Sequence, residues 1–140
     1  KDQNARGEAM AAYECLALVL GHLFEPYTTR LASLICAKCG DKVPEVRAAA
    51  EGALRACMGC LCPQGLHVLI GKMLHEIHDR GATWQSKVAV LTVMEEWVPK
   101  QQEQMGRAMQ EVVPAVCEAL SDTKPEVQSA ASSLLKVMSA

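Results

Sequence analysis

The stretches Asp41-Lys-Val-Pro-Glu-Val-Arg-Ala-Ala-Ala50 and Asp122-Thr-Lys-Pro-Glu-Val-Gln-Ser-Ala-Ala131 repeat one another about 80 residues apart, twice a common solenoid period. They share Asp, Pro-Glu-Val and Ala-Ala in register. Between them, Lys87-Val-Ala-Val falls about 40 residues after Arg47-Ala-Ala-Ala, one such period on. Arg6, followed by Ala9, precedes Arg47 by the same step. The two stretches begin as helices begin: an acid in the turn, proline at the first helical position, glutamate in the first turn, then helix-forming residues. A period of about 40 residues is that of a helix pair in a stacked α-solenoid.

Outward from these two stretches, breakers divide the chain into seven expected helices. They run from about Ala5 to Leu20, from Pro26 to Cys39, from Pro44 to Leu61 and from Pro63 to Ile77. The fifth is capped by Thr83 and ends before Pro99; the last two run from Gln102 to Leu120 and from Pro125 to Met138. Leu66, Leu69, Ile70, Met73, Leu74 and Ile77 show the spacing of three and four that puts apolar residues on one helical face. Connections this short force consecutive helices antiparallel. The expected architecture is all-α, about seven antiparallel helices making three to three and a half repeats. The stack starts and finishes on second helices. Residues 1–140 read as one segment, excised from a much larger solenoid.

Composition agrees. Half the residues are apolar, yet only 4% are aromatic, with one Phe. The core must therefore come from Ala, Leu, Val, Met and Cys, which suit closely packed helices. The net charge of −2 is interspersed, and no basic block asks for a phosphate backbone. No apolar run approaches the length of a membrane span. Seven cysteines without a secretory signal point to a reducing compartment and to thiols used as small apolar fillers.

Among solenoids with this period, the details favour the HEAT type. Asp41 precedes Val46-Arg47 as the acid in a HEAT turn precedes Val-Arg, and Pro114 stands eight residues before Asp122, where the first helix of a unit bends. Ser33 and Gly71 occupy the corresponding positions elsewhere. An acid in the turn accepts hydrogen bonds from backbone amides and can be reached by a base from the neighbouring unit. Asp41, Arg47, Lys87 and Asp122 are the expected members of such a ladder, with Gln128 replacing an Arg.

Several residue sets could carry chemistry. Cys36-x-x-Cys39 and Cys57-x-x-Cys60 are separated by seventeen residues, a structural-zinc spacing. However, Cys57 lies far along the third helix, roughly 20 Å from the turn at 1.5 Å per residue. Zinc requires four sulfurs at about 2.3 Å from one point, so the expected role is packing. His75 and His78 share a helix face with His67 upstream, but no third ligand is positioned. Cys60, Cys62 and His67 are close in sequence without an oriented base or oxyanion pocket. No catalytic, cofactor or metal site is expected. Trp84 and Trp97 stand thirteen apart on the fifth helix, as packing residues or as an aromatic anchor for a partner.

Glu14-Cys-Leu, Leu20-Gly-His-Leu-Phe-Glu-Pro-Tyr27, Trp84-Gln-Ser-Lys87, Pro99-Lys-Gln101 and Val112-Val-Pro-Ala-Val116 through Gln128 closely resemble a known family. It is that of the large HEAT-repeat translational activator of general amino-acid control, in the part similar to the HEAT domain of fungal elongation factor three. Gln85-Ser86 stands where that family more often has a basic residue and Thr. The resemblance implies a cytoplasmic protein-interaction scaffold on ribosomes. It would work with an ATP-binding-cassette partner, and through the full-length protein it would help activate the kinase that phosphorylates initiation factor two alpha. It would have no membrane segment, no direct nucleic-acid motif and no enzymatic activity of its own. Trp84, Lys87 and Arg47 are the candidate partner-binding residues. The alternatives are a segment of an elongation-factor-three-like ribosome-binding ATPase and, from another class, a cysteine-rich zinc module.

Overall fold

Proline and glycine punctuation decides where the helices start and stop. In the computed structural model, residues 3–59, 63–79, 83–100 and 102–139 are described. Helix α1 spans Gln3–Leu20 and is followed by a single 3-10 turn, Gly21–Phe24. Gly21 has φ of +55°, the left-handed conformation that ends a helix without a Cβ clash. Next come α2 (Glu25–Lys38), α3 (Pro44–Gly59), α4 (Pro63–His78) and α5 (Trp84–Trp97). The chain continues with α6 (Gln102–Arg107), α7 (Met109–Leu120) and α8 (Pro125–Ser139). No strand occurs among the described residues.

The helices form two layers. One contains α1, α3, α5 and α8; the other contains α2, α4 and α7, with the short α6 against α4. Pairs α2–α3, α4–α5 and α7–α8 are the repeating units, and α1 packs on α3 as the second helix of a preceding unit. This is the all-α solenoid expected from the repeat register.

One expected helix is divided. The segment from Gln102 to Leu120 breaks at Ala108, whose carbonyl takes the amides of Glu111 and Val112, both at 2.9 Å. The break falls just beyond Gly106, a poor helix former. Pro114, where a bend was expected, stays inside α7. The expected end of the third helix at Leu61 lies outside the described residues, as do Cys60 and Cys62.

A continuous core runs between the layers, built from Ile35, Leu54, Met58, Leu69, Ile70, Met73, Leu91, Met94, Val116 and Leu134. Each such aliphatic side chain contributes about 1.5–3 kcal/mol on burial. On α3 the buried set is Val46, Ala50, Ala53, Leu54, Cys57 and Met58, one face of an α-helix. At the α1–α2 end, Leu18, Val19 and Leu23 are exposed.

Side-chain size sets the spacing within the α1/α3/α5/α8 layer. Between α1 and α3, glycine stands at two of the facing positions. A Cβ at Gly7 would sit 3.9 Å from Val46, and one at Gly52 would come within 2.8 Å of the Glu14 carboxylate. Among the described helices, these two make the most extensive contact. Between α3 and α5 the facing residues are Arg47, Glu51, Trp84, Val88 and Thr92, and the helices stand apart around a cleft. They meet at one end, where Arg55 Nε and Nη2 donate to Glu96 Oε2 and Oε1 at 2.8 and 2.9 Å.

Candidate functional site

Asp41 and Asp122 each stand in the turn before a second helix, and each does two jobs. Asp41 Oδ1 accepts the Val43 amide at 3.0 Å, and Asp122 Oδ1 accepts the Lys124 amide at 2.9 Å. Each carboxylate also receives a base from the preceding unit. Arg6 Nε and Nη2 donate to Asp41 Oδ2 and Oδ1 at 2.8 and 3.1 Å. Lys87 Nζ reaches Asp122 Oδ2 at 3.5 Å. The backbone amide of Val43, then the Arg6 guanidinium, hold Asp41 below the usual carboxylate range; the Lys124 amide and the Lys87 charge do the same for Asp122. Arg6 was missing from the expected ladder, although its offset of one period from Arg47 marks it as the preceding base.

Arg47 behaves differently. Its Nη1 donates to the carbonyl oxygens of Asp41 and Lys42 at 2.7 and 3.2 Å, within its own unit. Gln128 repeats this bond, donating from Nε2 to the Asp122 carbonyl at 2.5 Å. Among the described residues, no carboxylate pairs with Arg47.

The Trp84-Gln-Ser-Lys87 string divides its labour over three directions. Trp84 is half-buried and lines the cleft between α3 and α5 with Gln85. Ser86 is buried, its hydroxyl 2.8 Å from the Cys36 carbonyl oxygen and 2.6 Å from Glu76 Oε1, tying α5 to α2 and α4. Lys87 turns to the ladder. Thr83 caps the helix, its Oγ1 accepting the Ser86 amide at 3.3 Å. That residue lies so close to the turn after α2 that a Cβ at Gly40 would collide with Thr83 Oγ1.

The cleft has a volume of about 350 Å³ and is lined by Arg47, Glu51, Trp84, Val88 and Thr92, with Cys39 and Ala89 at its base. Of the three candidate partner-binding residues, Trp84 and Arg47 therefore share one depression and Lys87 does not line it. Trp97 lies half-buried against the core beside Gly59, with the Lys100 ammonium 5.3 Å from its ring centroid.

The cysteines and histidines are placed in separate settings. Cys36, Cys39 and Cys57 are buried in the core. Burial pushes the Cys36 thiol up to about 12, helped by the negative charge of Glu76, and burial raises Cys39 in the same direction. Both effects oppose the thiolate form a zinc ligand needs. Helix α3 runs unbroken through Cys57, so the bend that would gather the two cysteine pairs does not occur there. Among the described residues no set of three His, Cys, Asp or Glu could hold a metal. His78 Nδ1 lies 2.5 Å from Glu118 Oε2, and His67 Nε2 lies 3.9 Å from Glu111 Oε1; both pairs bridge α4 and α7. His75 is exposed. No helix among the described residues is long and apolar enough to cross a membrane.

The family described as the EF3 N-terminal HEAT repeat matches residues 1–135. The chain is 37% identical over 139 residues to Protein ILITYHIA of Arabidopsis thaliana, covering 92% of the chain and 5% of that protein. It is 31% identical over 137 residues to Elongation factor 3 of Candida albicans, covering 96% of the chain and 13% of that protein. It is also 31% identical over 138 residues to the eIF-2-alpha kinase activator GCN1 of Dictyostelium discoideum, covering 96% and 5% respectively. The chain thus spans a small part of each of these relatives.

Proposed function

The chain belongs to the EF3 N-terminal HEAT repeat family, and from that premise we propose that it is a protein-binding scaffold segment in cytoplasmic translational control. On this reading it forms part of a ribosome-associated protein that promotes phosphorylation of initiation factor two alpha when amino acids are scarce. An ATP-binding-cassette protein is a further partner, and the kinase is engaged through the full-length protein. The observation that carries the reading is the agreement of two things over nearly the whole chain. Relatives named for elongation and for activation of an eIF-2-alpha kinase align with it, and its repeats stack as a continuous scaffold whose second-helix layer carries an open cleft. Arg47 and Trp84 are the residues best placed there for a partner, because Lys87 is committed to Asp122.

Equal identity to an elongation factor 3 and to an activator supports a second reading. In it, the segment belongs to an elongation-factor-three-like ribosome-binding ATPase whose cassettes lie elsewhere. ATP-binding cassettes on the same polypeptide would favour this second reading over the first.

Cosedimentation with purified ribosomes through a sucrose cushion tests the scaffold reading. The chain should pellet with ribosomes, and Arg47→Ala combined with Trp84→Ala should weaken pelleting while helicity by circular dichroism is retained. A wild-type chain that stays in the supernatant would sink the ribosomal reading. A double variant that pellets like the wild type would remove the cleft from it.

A further inference from the structure

Arg6 and Arg47 are successive bases of one ladder, and among the described residues only the first has a carboxylate partner. Arg6 applies its Nε–Nη2 edge to both oxygens of Asp41. Arg47 has its Nη1 fixed by two carbonyl oxygens of its own turn, which holds the guanidinium in place. Among the described residues, its Nε–Nη2 edge meets no carboxylate. The connection from α4 to α5 has the same length as that from α2 to α3, five residues in each case. Asp41 is the third residue of the first connection; Gly81 is the third of the second. Glycine supplies no carboxylate, so the sequence provides no acid at the position that matches Asp41.

We propose that the cleft between α3 and α5 binds an acidic peptide segment of a partner protein, whose Asp or Glu carboxylate completes the missing rung on Arg47. An apolar neighbour of that acid lies on Trp84. This rests on the protein-binding reading above and gives it a chemistry. A fixed guanidinium edge matches the two oxygens of one carboxylate, as Arg6 and Asp41 demonstrate within the same molecule. Trp84, Val88 and Thr92 recur every four residues on one face of α5 and offer an apolar wall beside it. The volume of about 350 Å³ accommodates a few side chains.

A nucleic-acid backbone fits less well. It needs several available bases in a row, whereas Glu51 lines the same cleft, Arg55 is held by Glu51 and Glu96, and Lys87 is held by Asp122. One available fork beside an aromatic ring suits a carboxylate flanked by apolar residues.

The test titrates ¹⁵N-labelled chain with a short blocked peptide of alternating Glu and Leu, with its Gln-Leu counterpart, and with oligouridylate. The Glu peptide should shift the Trp84 indole N–H and Arg47 Nε–H signals, with a dissociation constant on the order of 1 mM. The Gln peptide should bind at least about tenfold more weakly. Arg47→Gln should abolish the difference and Arg47→Lys should restore part of it. Should Arg47→Gln fail to fold, added salt serves instead, because screening should shrink the difference between the two peptides. Equal response to the two peptides, shifts confined to other residues, or no shift at all would overturn the proposal. Oligouridylate shifting the same two signals more strongly than the Glu peptide would also overturn it, in favour of a phosphate partner. Ribosome cosedimentation of the same sample separates the failures. Peptide discrimination without pelleting sinks only the ribosomal reading, and pelleting without discrimination sinks only this one.

Discussion

Arg6 and Asp41 join helices that belong to successive repeats, through two nitrogen–oxygen contacts of 2.8 and 3.1 Å on a carboxylate that is only 9% exposed. The counterpart two repeats on, Lys87 with Asp122, is a single contact of 3.5 Å between side chains 16% and 18% exposed. The first rung is a fork-shaped, largely dry pair and the second a looser point contact, so the two should differ in strength and in their response to acid.

Asp41→Asn should cost roughly 1.5–3 kcal/mol at neutral pH, the range for a hydrogen bond to a charged group, and Asp122→Asn about 0.5–1 kcal/mol. Both aspartates have folded pKa values below their unfolded ones. Their stabilisation is therefore complete above the unfolded value of about 3.9 and drains away as pH falls through the depressed folded value. Urea unfolding at neutral pH and again under acid conditions measures this. A penalty for Asp41→Asn that does not shrink in acid would contradict the assignment.

Gly81→Asp puts an acid at the sequence position that matches Asp41, and should stabilise the chain by about 0.5–1.5 kcal/mol if that acid pairs with Arg47. The gain should vanish in an Arg47→Gln background, which a double-mutant cycle in urea detects. A gain that persists without Arg47 would mean the new acid acts elsewhere, for instance as a turn residue.

Thiol chemistry should separate along burial. Cys15 and Cys117 are exposed, while Cys36, Cys39 and Cys57 are buried. At mildly alkaline pH, iodoacetamide should label the first two in the native chain and the other three only after unfolding, because the thiolate is the reactive form. Peptide mapping by mass spectrometry reads the order. Early labelling of Cys36 or Cys39 would show that the α2–α3 core opens.

Ser86→Ala should cost about 1–3 kcal/mol, the range for leaving buried polar partners without their bond. The hydroxyl sits between the Cys36 carbonyl and Glu76, so the loss should loosen α5 from both α2 and α4. Amide exchange in the α2 C-terminal turn should rise along with the drop in stability; an unchanged exchange pattern would place the cost elsewhere.

The repeat pairing was legible from the Asp41 and Asp122 stretches because helix starts are written locally, in proline, acid and apolar spacing. Thr83 was legible as a cap for the same reason. The break at Ala108 was not, since Gly106 is a weak signal and Pro114 a stronger one that the helix absorbs. Arg6 escaped because a rung joins residues far apart in the chain, at a separation set by how two units dock rather than by either unit's own pattern. The cleft escaped for a similar reason. Its width depends on Arg47 and Glu51 facing Trp84 and Val88 across a seam, and a linear pattern records neither facing side chain as opposite the other. Trp84 was singled out by residue type and by the family string it opens, with packing and partner contact both open.

The uneven seams within one layer bear on mechanics. Where α1 meets α3, with Gly7 and Gly52 at the seam, the helices pack more closely; where α3 meets α5, bulky side chains prop the layer open and the Arg55–Glu96 pair clasps one end. On the other side, α2 remains packed on α4. A strip fastened along one edge and loosely clasped along the other bends most easily at that point, while its closed stretches stay stiff. Load applied along the solenoid should therefore change its curvature first between α3 and α5, opening the slot further without unpacking the core. The bulk of a few side chains thus decides where this scaffold yields.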